Sequence, residues 1–184
     1  QSQLHDKDIL DELRAAGTDI LKIVIDQVHL RHRSALASIR MSDVHHASKM
    51  YDHLAPKFMR EHPEWRIRQE DGVVDVALDY GFEGVRNHRL RILKELADYY
   101  EIDGIELDFM RSCRFFPTHK AEIQKNAMTD FVRRVREILD DAAHAKGRNR
   151  LILGIRVPPS LGECSGLGMD PESWIHGGLI DYVV

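Results

Sequence analysis

Glu106 and Asp108 lie two residues apart in a short apolar stretch, and carboxylates can act as nucleophile, acid or base. The stretch follows a strongly helical segment and contains Gly104, so we predict a buried β-strand over residues 102–111. Because side chains alternate along a strand, the two acids share its inner face. Burying two carboxylates together costs several kcal/mol unless they are used or paired. We therefore assign Asp108 and Glu106 as the candidate catalytic residues.

A purely structural role for Glu106 and Asp108 also stays open at this point. One carboxylate would cap the loop that follows the strand, and the other would pair with an arginine. Arg40 and Arg156 suit that pairing, because each belongs to the inward-facing set of another predicted strand. We expect Glu106 to pair with Arg40 or Arg156 and to keep Asp108 oriented, while the arginines help to keep Asp108 ionised.

The positions of these residues depend on an alternation of helices and strands along the chain. Segments of helical apolar periodicity alternate with short runs of period two, and this pattern predicts a parallel α/β sheet. Residues 49–72 and the glycine-rich residues 160–168 are predicted to be loops. We predict helices over residues 7–16, 19–32, 83–100 and 121–145 and a short one from residue 171, and strands over residues 35–43, 73–80, 102–111, 151–157 and 179–184.

Three of the predicted strands repeat one design, with apolar side chains outward and charged side chains inward near the carboxyl end. This favours a (β/α)8 TIM-type barrel over a doubly wound sheet, because such barrels place catalytic groups at the carboxyl ends of their strands. A complete barrel takes about 250 residues, whereas this chain has 184. We therefore expect residues 1–184 to form a single domain of catalytic type that is a central part of such a barrel. Its open edges favour self-association.

Composition narrows the classes of function. The chain is 43% hydrophobic and 30% charged with a net charge of -4, so it can bury one core and gives no electrostatic case for binding nucleic acid. No apolar run approaches the length of a membrane span and no signal-peptide pattern is present, so we expect no membrane partner. Cys113 and Cys164 form neither a disulfide framework nor a zinc motif. They follow neighbouring predicted strands, where they either form a disulfide bridge or stay as two free thiols.

A metal site is a further interpretation of the residues that follow the first predicted strand. Asp43, His45 and His46 lie there, and together with Asp108 they would supply ligands for a metal-dependent hydrolase. The segment has no H-x-H motif, and the side chains of adjacent histidines diverge. We therefore predict no metal and no cofactor.

Residues 99–111, together with residues 37–43 and 154–158, resemble strand signatures of glycoside-hydrolase-like TIM-barrel proteins of bacteria. The similarity spans the chain from about residue 19 onward. It implies a hydrolase of carbohydrate metabolism, a glycosidase that uses carboxylates to cleave a poly- or oligosaccharide. It slightly favours an extracytoplasmic location, periplasmic or secreted. A non-catalytic barrel that binds carbohydrate or serves as a scaffold is the alternative.

The resemblance also implies roles for individual residues. Retaining enzymes of the α-galactosidase and α-glucosidase type share the pattern D-G-hydrophobic-x-hydrophobic-D, which is found here at residues 103–108. The last aspartate is their nucleophile, which implies that Asp108 is nucleophile or stabiliser and that the acid/base group comes from a later part of the barrel. Chitinase-type barrels carry D-x-D-x-E, but Met110 stands where that acid would be. For substrate binding we assign Arg40, Asp43, His45, Arg111 and Arg156.

Overall fold

A computed structural model of the chain describes residues 2–47 and 53–184. Helices and strands alternate along most of these residues, as the periodicity of the sequence predicts. The helices are α1 (Ser2–Ala15), α2 (Ile20–His29), α3 (Lys57–Glu61), α4 (Glu83–Tyr99), α5 (Lys125–Ala145), α6 (Leu161–Gly166) and α7 (Pro171–His176), and the strands are β1 (Leu36–Arg40), β2 (Arg66–Arg68), β3 (Val74–Leu78), β4 (Gly104–Asp108), β5 (Ile152–Arg156) and β6 (Tyr182–Val183).

Four strands form one parallel sheet in the order β1-β4-β5-β6, which is also their order along the chain. Helices connect successive strands of this sheet, as parallel pairing requires. The predicted α/β class with a parallel sheet is therefore confirmed. Within the described residues the sheet is open, because β1 and β6 each have one paired edge. A closed barrel, and self-association through its edges, stay predictions.

The core lies between the helices and one face of the parallel sheet. The centre of α5 buries Val132, Val135 and Leu139 at spacings of three and four residues, which places them on one face of the helix. The apolar side chains of β4 meet this face, and both Ile105 and Leu107 are fully buried. The carboxylates and arginines of the sheet therefore lie on the opposite face.

The predicted strand over residues 73–80 forms, but it does not join the parallel sheet. β3 pairs antiparallel with β2 in a separate two-stranded sheet. The strand itself is predicted correctly, but its partner β2 lies in a charged segment that we predict to be irregular. The helix α3 also lies in this segment, which we predict to be a loop over residues 49–72. Residues 49–52, at the start of that predicted loop, lie outside the described part of the chain.

The glycine-rich loop predicted over residues 160–168 is also wrong in part. Six of its nine residues form the helix α6, which begins after Ser160 because the Ser160 hydroxyl accepts a hydrogen bond from the Glu163 amide at 3.2 Å. The short helix predicted after Asp170 is confirmed, with Pro171 as its first residue. Of the helices in residues 2–47 and 53–184, none is both long and apolar enough to span a membrane.

Candidate functional site

The carboxyl edge of the parallel sheet carries a row of three charged residues. Arg40 of β1, Asp108 of β4 and Arg156 of β5 are in register with one another. Neighbouring strands lie about 4.8 Å apart, so an arginine flanks Asp108 on each side. Asp108 is 9% exposed, whereas both arginines are exposed. The sequence predicted that these three side chains share a face, and the register brings them into one line.

A second row lies one pleat deeper and is centred on Glu106. Ser38 of β1 donates a hydrogen bond from its hydroxyl to one Glu106 oxygen at 3.0 Å, and Tyr182 of β6 donates to the other at 3.0 Å. Our prediction that Glu106 pairs with Arg40 or Arg156 is therefore wrong. Register explains the difference, because it aligns both arginines with Asp108 and aligns Ser38 and Gly154 with Glu106.

Tyr182 reaches Glu106 by crossing the strand between them. Its ring lies over Gly154, where an added Cβ would come within 2.0 Å of the tyrosine Cζ. Glycine is therefore required on β5 for this contact. Burial, together with the hydrogen bond and the negative charge of Glu106, raises the pKa of Tyr182 to about 12. The hydroxyl thus stays protonated and acts as a donor at neutral pH.

Asp108 has one hydrogen bond that belongs to the fold. Its Oδ1 accepts from the backbone amide of Met110 at 2.9 Å, which caps the turn after β4 as the structural explanation expects. Within the described residues, neither Arg40 nor Arg156 approaches Asp108 closely enough to form an ion pair. The two arginines that we expect to keep Asp108 ionised therefore flank it without contacting it. This is the only side-chain hydrogen bond of Asp108 to the part of the chain that the structure describes, and it leaves Oδ2 available for a ligand.

The loops after β1 and β4 meet beside this row. The Nη2 of Arg111 donates to the Nε2 of His45 at 3.1 Å, which leaves the proton on Nδ1 to face Asp43. Burial raises the pKa of Asp43, but hydrogen bonds from the side chain and backbone of His45 outweigh it, and the net pKa lies below the ordinary value. These three residues, with Arg114, line a cavity of about 330 Å³.

Sequence reasoning missed Tyr80, which bonds to both the loop after β1 and the loop after β4. Its hydroxyl donates to the carbonyl oxygen of Met41 at 2.6 Å, and its backbone amide donates to the carbonyl of Phe115 at 2.8 Å. The side chain is 1% exposed, and burial raises its pKa. An aromatic at the end of a predicted strand was the only signal, and it does not name these partners.

The metal interpretation gains no support from the arrangement of its residues. His46 is buried whereas His45 is exposed, and of the two histidines only His45 contacts Asp43. Across residues 2–47 and 53–184, no group of three or more His, Cys, Asp or Glu side chains is placed to hold a metal ion. Cys113 and Cys164 are free thiols, and burial raises the pKa of both.

A larger cavity of about 760 Å³ lies on the helical side, away from the sheet face. Trp65 lines it, but His62 stacks on the indole at a ring separation of 3.7 Å. The far edge of the indole rests on Gly84, where an added Cβ would come within 2.5 Å of the ring. Trp65 is therefore a packing residue that holds α3 against α4.

The site thus consists of a carboxylate between two arginines at the carboxyl edge of a parallel sheet, with polar loops beside it. Groups at this edge of α/β barrels and sheets contact substrates. No protein-family model matches the sequence, and no curated protein matches it significantly. Solved structures do match the fold, and they are glycoside hydrolases.

Three of these structures define the similarity. An α-galactosidase from Thermus thermophilus in complex with stachyose matches 89% of this chain and 30% of its own, with a TM-score of 0.57 and 15% identity. An α-amylase from Geobacillus thermoleovorans complexed with acarbose matches 89% and 33%, with a TM-score of 0.52 and 17% identity. An Anoxybacillus α-amylase matches 89% and 32%, with a TM-score of 0.53 and 14% identity. The chain has a glycoside-hydrolase-like fold and spans about a third of the length of these enzymes.

Proposed function

We propose that this chain carries part of the active site of a glycoside hydrolase that acts on a poly- or oligosaccharide. The observation that carries the proposal is Asp108, a nearly buried carboxylate at the carboxyl edge of a parallel sheet with one oxygen free for a ligand. In this role Asp108 is the nucleophile or the charge that stabilises an oxocarbenium-like transition state. The glycoside-hydrolase-like fold supports the proposal.

Glu106 has a positioning role in this proposal. Both of its oxygens already accept hydroxyl hydrogen bonds from Ser38 and Tyr182, so it is held in place below Asp108. A glycosidase needs a second carboxyl group as acid or base, and a carboxylate with both oxygens engaged in the sheet is poorly placed for proton transfer. The second group then comes from a later part of the barrel.

A non-catalytic carbohydrate-binding barrel is the second candidate. The hydrogen bonds to both oxygens of Glu106 favour this candidate, because they leave Asp108 without a free carboxylate partner on this face of the described sheet. A binder needs only the arginines, Asp43 and His45 to contact sugar. Hydrolysis separates the two candidates.

The test is hydrolysis of a glycan panel by a longer protein that contains this chain and by its Asp108→Asn variant. The substitution keeps the shape of the side chain and its acceptor for the Met110 amide but removes the charge. We expect kcat to fall by roughly four orders of magnitude, with binding of oligosaccharide retained. Asp98→Asn is the control, because Asp98 lies on the exposed side of α4 in a pair with Lys94.

Two results would contradict the proposal. If Asp108→Asn cleaves a substrate of the parent protein at the parental rate, Asp108 is a structural cap. If oligosaccharides bind but neither this chain nor a longer protein that contains it cleaves any member of the panel, the binding barrel is correct.

A further inference from the structure

We infer that the substrate carries an anionic substituent, a carboxylate or a sulfate ester, which Arg40 and Arg156 bind on either side of Asp108. The inference rests on the proposed function and specifies its substrate class. It starts from the register of the strands, which places Arg40 and Arg156 on either side of Asp108, and from the few partners that the two arginine side chains have.

The side chain of Arg156 makes no hydrogen bond and no ion pair with any described residue, and only its backbone takes part in the sheet, where its carbonyl accepts from the Phe109 amide. The ion pair of Arg40 is a loose one, 3.7 Å from Asp43. Both side chains are exposed on the open face. Their charges are therefore available to a ligand.

Arginines with a structural role near the same sheet behave differently. Arg114 binds both oxygens of Asp75, at 3.0 and 3.1 Å. Arg136 is buried and donates to the carbonyl of Leu151 at 2.9 Å, and Arg150 donates to Asp181 at 2.8 Å. These three arginines thus have partners within the fold, whereas the side chain of Arg156 has none among the described residues.

The chemistry of a guanidinium explains what such a pair would select. Its planar donors match the oxygens of a carboxylate or sulfate in bidentate geometry, whereas a neutral sugar offers only hydroxyls. A negatively charged substrate also has to approach Asp108, and two arginines flanking that residue offset the repulsion between the two anions. A neutral substrate would not need this compensation.

The two sources of the anion, a uronic acid carboxylate and a sulfate ester, are separated by the probes. Titration calorimetry on the whole chain at low salt uses four oligosaccharides of equal length: an oligogalacturonate, a sulfated galactose oligomer, and neutral oligomers of glucose and galactose. We expect one anionic oligomer to bind at least about tenfold more tightly than either neutral one, with an affinity that falls as salt rises. The anionic oligomer that binds identifies the substituent.

Variants assign the preference to the arginines. Arg156→Gln and Arg40→Gln should each weaken binding of the anionic oligomer about tenfold, with Arg156→Lys intermediate. Arg133→Gln is the control with the same change of charge, because Arg133 lies on the exposed side of α5 beside Asp130. Arg156→Gln should keep the parental melting temperature, because the Arg156 side chain makes no hydrogen bond or ion pair with a described residue that the substitution could remove.

Each outcome bears on a different proposal. Equal or tighter binding of neutral oligomers, or equal losses in Arg156→Gln and Arg133→Gln, overturns the inference and leaves hydrolysis of a neutral glycan standing. Binding of an anionic oligomer that neither this chain nor a longer protein containing it cleaves overturns the proposed hydrolysis and leaves the inference standing. Binding of none of the four overturns the inference.

Discussion

Glu106 is fixed by hydroxyl groups from β1 and β6, and this determines what it can do. Ser38 and Tyr182 each donate to one of its oxygens at 3.0 Å. Hydrogen bonds to a charged acceptor are among the stronger ones in proteins. The pair of donors therefore holds Glu106 still and leaves Asp108, two residues later, as the carboxylate that is open to a ligand.

The first prediction concerns the titration of Tyr182. The difference in tyrosinate absorbance between the parent protein and Tyr182→Phe should have its midpoint near pH 12, because burial and Glu106 raise this pKa. Since the folded pKa exceeds the unfolded one, the contribution to stability is complete below about pH 10 and is lost as the pH rises towards 12.

The counterpart of this measurement is Glu106→Gln. The substitution removes the negative charge, so the midpoint of the Tyr182 titration should fall, while burial keeps it above 10. A midpoint that does not move in Glu106→Gln would show that Glu106 does not perturb Tyr182.

For individual residues, the sequence predicts on which face of the sheet a side chain lies but not which side chain it contacts. Alternation along the strands correctly put Glu106, Asp108, Arg40 and Arg156 on one face. Pairing depends on register, and a shift of two residues moves an arginine from Glu106 to Asp108 without changing any face. A glycine opposite an aromatic, Gly154 opposite Tyr182, was the available signal for the cross-strand contact.

The β2–β3 hairpin is the element that the sequence misplaced, and it supports the site. It is tied to the loop after β4 by the pair between Asp75 and Arg114. Tyr80, two residues beyond β3, reaches the loop after β1 through Met41. A run of period two shows that a strand forms, but it does not say which sheet the strand joins, because that choice depends on contacts distant in sequence.

The second prediction concerns this connection. Tyr80→Phe should lower the free energy of unfolding by about 1–2 kcal/mol, because it leaves the buried carbonyl of Met41 without its donor. The measurement is urea unfolding, together with amide hydrogen exchange in the loop after β1, which should become faster. Tyr99→Phe, at a position 80% exposed, is the control and should match the parent protein. Unchanged stability in Tyr80→Phe would mean that the loops do not depend on this bond.

Across the described residues, the aspartates that fasten neighbouring strands lie at the amino ends of the parallel sheet, and the proposed site lies at its carboxyl ends. Asp103 precedes β4 and accepts hydrogen bonds from the Ala35 amide at 2.7 Å and from His29 at 2.8 Å. Asp181 precedes β6 and accepts from the Leu153 amide at 2.8 Å. Each aspartate thus fastens the amino end of its strand to the neighbouring strand. The carboxyl ends carry the arginines and Asp108.

The third prediction concerns acid stability. Burial raises the pKa of Asp103, but hydrogen bonds from Ala35, His29 and Arg148 outweigh it, so the net pKa lies below the ordinary 3.8. Its contribution is therefore present above that value and is lost as the pH falls below it. Asp103→Asn should cost about 2 kcal/mol at pH 7, and the difference from the parent should shrink at pH 3.

Urea unfolding at both pH values measures this effect. Asp130→Asn is the control, because Asp130 is half exposed in a surface pair with Arg133 and should change stability by less than about 1 kcal/mol. A loss in Asp103→Asn that is equal at pH 3 and pH 7 would show that the charge of Asp103 is not what stabilises the sheet.

The order of the parallel sheet also bears on how the protein is made. Because the strands lie in the sheet in the order in which the ribosome releases them, each new strand finds its neighbour already synthesised. The sheet can therefore grow at one edge during translation. Its slowest step should be the first, since α3, the β2–β3 hairpin and α4 all emerge between β1 and β4 and lengthen the loop that must close.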